Sequence, residues 1–370
     1  MPLILSGLSV PATTCLAEHS FADAATHTGS SFEGMSAPLV ARSVASSDPT
    51  ATVAAPWASV AAAVFCAAAA AGCGFGPGSA SEGEATLTVT RDFGAERLVE
   101  AKLEDPPESE TVMRFLDGEA DVETRYGGGF VQSIDGLEGT ERGGHSFDWF
   151  FYVNGIESPI GAAEARVYGG DAVWWDYREW TGAMRVPAVV GSWPEPFAHG
   201  SEGKAFPVRI DCLGDDEDCS AVADRLEDED VPASISTARA KVGNELLRVV
   251  VGPWEQVRED RAAAQIEDGP SESGVFADFE ANAAGGYDLV PLDAEGREAP
   301  QEQATVSSGL VAAVRLGEEQ PTWVVTGTDD AGVNDAIDLL DTESLRDRYA
   351  VGVDPRGEFA LPVTGRQVAP

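Results

Sequence analysis

The sequence predicts an α+β protein in two parts, a small sheet domain crossed by one helix and then an α/β (α+β) sandwich domain. Three observations carry that prediction. Between residues 148 and 180, Trp149, Phe151 and Val153 alternate with Phe150, Tyr152 and Asn154, and Val173, Trp175 and Tyr177 alternate with Trp174 and Asp176. Aromatic and β-branched residues at period two, with turns at Asn154-Gly155 and Gly170-Asp171, mark two strands. Beyond residue 206, apolar strand runs alternate with helical patterns, as layered α/β structures require. Finally, 370 residues are enough to bury two cores.

Taken in order, Thr86–Thr90 alternates cleanly and opens the first domain, and a second strand follows over Arg97–Leu103. Pro106 and Pro107 with the acids after them suit a helix N-terminus, from which Val112, Met113, Leu116 and Ala120 face a core. A strand is expected from Thr124 to Gly136, broken by three glycines, and a polar loop (Leu137 to Ser146) leads to the aromatic pair. The order β-β-α-β-β-β with one helix across the sheet is a β-grasp-like plan for residues 84–180. Residues 181–205, rich in Gly and Pro, read as a linker whose Val186, Val189, Val190 and Trp193 pack on a domain. The second domain, 206–353, is expected to hold strands at 207–212, 246–252, 275–279, 287–292 and 310–316, and a further run from Thr322 that leads through Gly332 into a helix. Helices are expected at 219–228, 253–264 and 333–340, with a tail over 354–370.

Aromatics this dense on both strand faces allow two readings. One is a two-sided core in a covered sheet. The other puts one face to work as a stacking platform for a ligand or partner. Alternation sends Trp174 and Trp175 to opposite faces, so one is core and the other is free to be exposed.

The charge is lopsided, 63 Asp+Glu against 24 Lys+Arg for a net −39. Such a surface repels phosphate backbones and excludes nucleic acid as a partner; it suits an extracytoplasmic or salt-exposed protein. Residues 1–73 have the character of a leader. No charged residue lies between Asp48 and Glu82, and a small, apolar run from Trp57 ends at Ala70-Ala71-Gly72-Cys73. That run is short for a membrane span and right for a signal-peptide core. Its end resembles a bacterial lipobox, which implies lipidation of Cys73 after cleavage, with 74–83 as a flexible tether. Ala70 stands where lipoboxes usually hold Leu, and Arg42 is the one Lys or Arg before Cys73. Both features point to a true start nearer Met35 or later. The alternative is a single Ala-rich transmembrane anchor with Cys73 unmodified. In either case the folded part sits outside the cytoplasm, where Cys212 and Cys219 read as a local disulfide.

Catalytic motifs are missing: the folded part contains no phosphate-loop, zinc-protease or nucleophile-elbow pattern. His145, near Ser146 and Asp148, is expected on a solvated loop and not as a triad fragment, and Asp215–Asp218 as a solvated acidic turn and not a calcium loop; no metal-ligating residue is expected. The chain is therefore read as non-enzymatic, with no cofactor.

Tyr126, Phe130-Val131, Ser133-Ile134, Gly136, Trp149, Tyr152-Val153-Asn154-Gly155, Gly161-Ala162, Gly170-Asp171, Trp174 and Tyr177 follow a recurrent order of landmarks. It resembles a bacterial surface domain of unknown function related to the C-terminal β-domain of transcobalamin and intrinsic factor, over residues 84–180. The resemblance implies a β-grasp-like, ligand-facing module in which Tyr126, Phe130, Trp149, Tyr152, Trp174 and Trp175 meet a small molecule such as a corrinoid. The helical barrel that completes the cobalamin site in the mammalian proteins has no counterpart in this sequence. The expected function is thus an extracytoplasmic, lipid-anchored ligand-binding protein, with cobalamin or another small molecule in uptake as the cargo. The alternative is a structural or adhesive surface protein that meets a protein or glycan.

Overall fold

Alternating threonines and apolar residues make β1 (Glu84–Arg91), which turns at Asp92-Phe93-Gly94 into the antiparallel β2 (Glu96–Glu104). The computed structural model describes residues 81–125, 129–237, 245–299 and 307–364. All of them belong to one unit, 71–370. The helix α1 (Val112–Glu119) starts six residues after Pro106. Thr111, not the prolines, caps it, its hydroxyl accepting from the Arg114 amide at 3.2 Å. Met113, expected in the core, is only partly buried, while Phe115 takes a core position.

The strand expected over 124–136 is a hairpin. β3 (Val122–Arg125) pairs antiparallel with β4 (Phe130–Ile134), and the short β5 (Leu137–Glu138) adds to β4. The stretch expected as polar loop carries β6 (Thr140–Arg142), and His145 is the first residue of β7 (His145–Val153), not a loop residue. The hairpin partner β6 extends the ladder because Gly143 and Gly144 supply the positive φ that its tight turn requires. β8 (Ile156–Glu157) pairs with the end of β7. β9 (Ala172–Glu179) lies parallel to β1 and antiparallel to β7, so the sheet order is β2-β1-β9-β7-β6.

The second half builds a seven-stranded sheet. β10 (Val208–Cys212), β11 (Ala233–Ser236) and β12 (Leu247–Pro253) are followed, after the separate hairpin β13 (Ala277–Ala281) and β14 (Tyr287–Pro291), by β15 (Gly309–Val314) and β16 (Thr322–Gly327). β17 (Ala350–Asp354) and β18 (Gly357–Leu361) complete the order β11-β10-β12-β16-β15-β17-β18. The first four strands in that order run parallel and the rest antiparallel. Part of the expected tail is therefore strand, held by its ladder to β17.

Helices α2 (Asp216–Glu227) and α5 (Asp330–Asp338) cover one face of this sheet, with Val222, Leu226, Val333 and Ile337 buried against Ile210, Val249 and Val325. α2 begins earlier than expected. Asp216, Glu217 and Asp218 form its first turn, where the helix dipole favours acids, so the expected solvated turn is helical. The helix expected over 253–264 is broken into α3 (Trp254–Val257) and a 3-10 turn, Ala263–Asp268. Two single-turn helices, α4 (Pro270–Ser273) and α6 (Thr342–Leu345), complete the chain. Cys212 and Cys219 form the disulfide that the spacing predicted, tying β10 to α2. Arg248 is buried in β12 and held by the carboxylates of Asp211 at 2.9 Å and Asp260 at 2.6 Å, as a buried cation requires.

The first sheet buries both faces. Leu87, Val89, Trp149, Trp175 and Tyr177 pack under α1, while Tyr152 and Trp174 on the other face join Phe93, Val250, Trp254, Phe276 and Tyr349 in a core shared with the second half. Residues 181–205 run through this seam, with Val186 and Val189 in the shared core and Val190, Trp193 and Phe197 in the core beneath α2 and α5.

Candidate functional site

The residues singled out as ligand-facing are mostly interior. Trp174 is 3% exposed and Trp175 2%, and Trp149 and Tyr152 are also buried. The expectation that one of Trp174 and Trp175 stands free on a platform is corrected, because the second half of the chain covers the face that α1 leaves open. Two of the indole N–H groups are met inside the protein: Trp149 Nε1 donates to the Leu137 carbonyl and Trp174 Nε1 to Thr90 Oγ1, both at 2.8 Å. Trp175 stacks on Phe151 with centroids 4.8 Å apart. Phe130, 42% exposed, keeps a surface and lines a depression of about 300 Å³ with Arg125, Gln132 and Trp180. Tyr126, Cys73 and the leader lie outside the described residues.

Asp176 sits at the centre of the seam. It accepts from Thr90 Oγ1 at 2.6 Å, the amides of Phe93 and Gly94 at 3.1 and 3.2 Å, and Tyr349 Oη at 3.0 Å. Burial pushes its carboxyl pKa up and those donors pull it back. Burial also pushes Tyr152 up to about 12 and raises Tyr349 well above its ordinary value, with the Asp176 charge adding to the second. Four donors on a solvent-free carboxylate make a structural tie, with no open side for a substrate.

A different set of residues converges at the far end of the same strands. His145 opens β7, Glu179 ends β9, and Glu295 sits in the 293–297 turn after β14. His145 Nδ1 lies 3.3 Å from Glu179 Oε1 and 3.1 Å from Glu295 Oε1, and one donor atom from each residue falls within 4.8 Å of the others. The Glu179 side chain is 7% exposed, and His145 Nδ1 is its carboxylate's one hydrogen-bond partner among the described residues. The turn that presents Glu295 is fixed by Asp293 Oδ1, which accepts from the amides of Glu295 at 2.9 Å and Arg297 at 3.0 Å. Arg297 pairs with Asp293 and with the other oxygen of Glu295. One imidazole and two carboxylates so collected can hold a divalent cation. The sequence expectation of no metal residues missed this set because Glu295 lies 150 positions from His145 and enters only through the packing of the two halves. A signal was present in part: the register that pairs Phe147 with Glu179 puts the two strand ends side by side.

Residues 109–179 match the family described as a domain of unknown function, DUF4430. Among solved structures, the chain is similar to a candidate metal-binding protein from Ruminococcus gnavus, at 21% identity and a TM-score of 0.21, over 27% of this chain and 99% of that one. Comparison with curated proteins returns no match.

Proposed function

We propose that this chain is a non-enzymatic binding protein held outside the cytoplasm, and that His145, Glu179 and Glu295 form a site for a first-row divalent cation such as zinc. The observation that carries the reading is the convergence of three donor atoms around a nearly buried carboxylate. Leaving such a carboxylate with one hydrogen-bond partner is costly, and a cation removes that cost. A nitrogen donor beside two oxygens suits zinc or manganese better than calcium, which takes six to eight oxygens. The sheet order β2-β1-β9-β7, with a parallel central pair and α1 across one face, supports a β-grasp-like plan for the first part and with it the transcobalamin-like resemblance. The buried rings of the aromatic set are engaged in packing, so the binding proposed here is not theirs.

Calorimetry at moderate salt tests the site. Zinc should bind the intact protein with about one-to-one stoichiometry, and His145→Ala or Glu179→Gln should weaken it at least tenfold. Equal binding by all three proteins would overturn the proposal. Cobalamin titrated in parallel should leave tryptophan fluorescence unchanged, and a saturable quench would return the aromatic residues to the binding role. If neither ligand binds, the structural or adhesive reading is favoured, to which burial of both aromatic faces already lends weight.

Membrane attachment through Cys73 belongs to the same proposal and rests on the small residues that precede it. Among the described residues no helix is long and apolar enough to cross a membrane. In a bacterial host, Cys73→Ala should abolish lipid labelling and release the protein or leave it unprocessed. Unchanged labelling would rule the lipid anchor out.

A further inference from the structure

A groove of about 720 Å³ opens on the other side of the seam, a volume in the range of small-molecule sites. Ile156, the loop around Ile160, the turn carrying Lys204 and Phe206, and the 315–320 segment after β15 form its walls. Arg315, whose side chain is 9% exposed, is one of the residues that line it. Its Nε donates to the Glu319 carbonyl at 2.7 Å and its Nη2 weakly to the Glu318 carbonyl at 3.4 Å. Its Nη1 is buried and has no hydrogen-bond partner among the described residues. The Glu318 carboxylate, on a side chain 69% exposed, stays 3.9 Å from Nη2. Burial, reinforced by the nearby charge of Arg185, presses this guanidinium pKa down. A buried guanidinium with an unmet donor is expensive, and a carboxylate matches its planar fork.

We propose that this groove binds a small zwitterion with an apolar body, an aliphatic amino acid or a short peptide, whose carboxylate docks on Arg315. The walls supply the apolar contact: Ile160 is 45% exposed there, one of few large aliphatic side chains left open in the described structure. The lining argues against a plain anion, because the exposed carboxylates of Glu164, Glu202, Glu245 and Glu318 outnumber the exposed cations Arg166 and Lys204. A ligand that carries an ammonium beside its carboxylate satisfies Arg315 and those carboxylates together. The Lys204 ammonium lies 4.8 Å from the centre of the Phe206 ring. The site is separate from the cation site and its test does not depend on that reading.

The experiment is calorimetry and thermal shift on the intact protein with L-leucine and leucyl-leucine. Isoamylamine, which lacks the carboxylate, and N-acetyl-leucine, which lacks the ammonium, serve as controls. At least one zwitterion should bind, and each control should bind tenfold or more weakly. Arg315→Met should weaken the zwitterion at least tenfold, as should Ile160→Glu, which alters an exposed wall residue and spares the fold even if Arg315→Met does not fold. Zinc binding should be unchanged in both variants. The proposal is overturned if neither zwitterion binds, if Ile160→Glu binds as the wild type does, or if N-acetyl-leucine binds as well as leucine.

Discussion

Tyr152 shows what burial does to a single titrating group. Its hydroxyl is pushed up to about 12 by loss of solvent, whereas an unfolded tyrosine ionises near pH ~10. Below about pH 10 both states keep the proton and the group contributes nothing to pH dependence. Between about 10 and 12 the unfolded chain releases a proton that the folded chain holds, so stability falls as pH rises, by about 1.4 kcal/mol per unit. Tyr152→Phe removes that slope at the cost of a long 3.4 Å bond to Tyr349 and an interaction with Arg178. Urea unfolding at intervals from pH 9 to 12 should show a flatter decline for the variant. Parallel curves would mean that the hydroxyl is not shielded as the seam geometry requires. Asp176 and Arg248 divide on the same balance: at Asp176 burial outweighs its donors and raises the carboxyl pKa, whereas at Arg248 the carboxylates of Asp260 and Asp211 outweigh burial.

At the scale of elements, the adjacent pair Trp174 and Trp175 on β9 carries the clearest expectation. Their rings enter two different cores, one shared with the second half and one beneath α1. Replacing either with Ala should cost about 3–5 kcal/mol, the range for truncating a buried aromatic. Denaturant midpoints measure it, and one variant near wild-type stability would place that ring at a surface after all. The strands themselves were legible from period-two alternation, and so was the disulfide from spacing and compartment. The hairpin β3–β4 was not, because a glycine run inside a β pattern fits a bulge as well as a reversal. The start of α1 was misplaced because two prolines and the two acids after them imitate an N-terminus, while Thr111 supplies the cap. His145 looked like loop because its strand begins in polar residues, and its partners come from a second strand and a distant turn.

At the scale of the whole molecule, the two sheets stand as one cooperative body. Gly94 in the first turn sits so close to the Asp347 backbone that any Cβ there would collide with it, and Arg97 pairs with the Asp347 carboxylate. Together with the core around Tyr152, Trp174 and Tyr349, this predicts a single calorimetric transition for residues 81–364. A fragment of residues 81–180 should bind a hydrophobic dye and melt without cooperativity, having lost the cover on its second face. Two separate transitions in the whole protein would contradict the shared core. The sequence by itself determined the classes of element, the aromatic strand pair, the acidic surface and the Cys212–Cys219 link, because periodicity, composition and short spacing are local properties. Only the tertiary structure decided that both aromatic faces are interior, that His145, Glu179 and Glu295 meet, and that Arg315 lines a groove with a donor unmet. Those outcomes depend on which surfaces the second half covers, and contacts between residues more than a hundred positions apart leave no periodic trace in the chain.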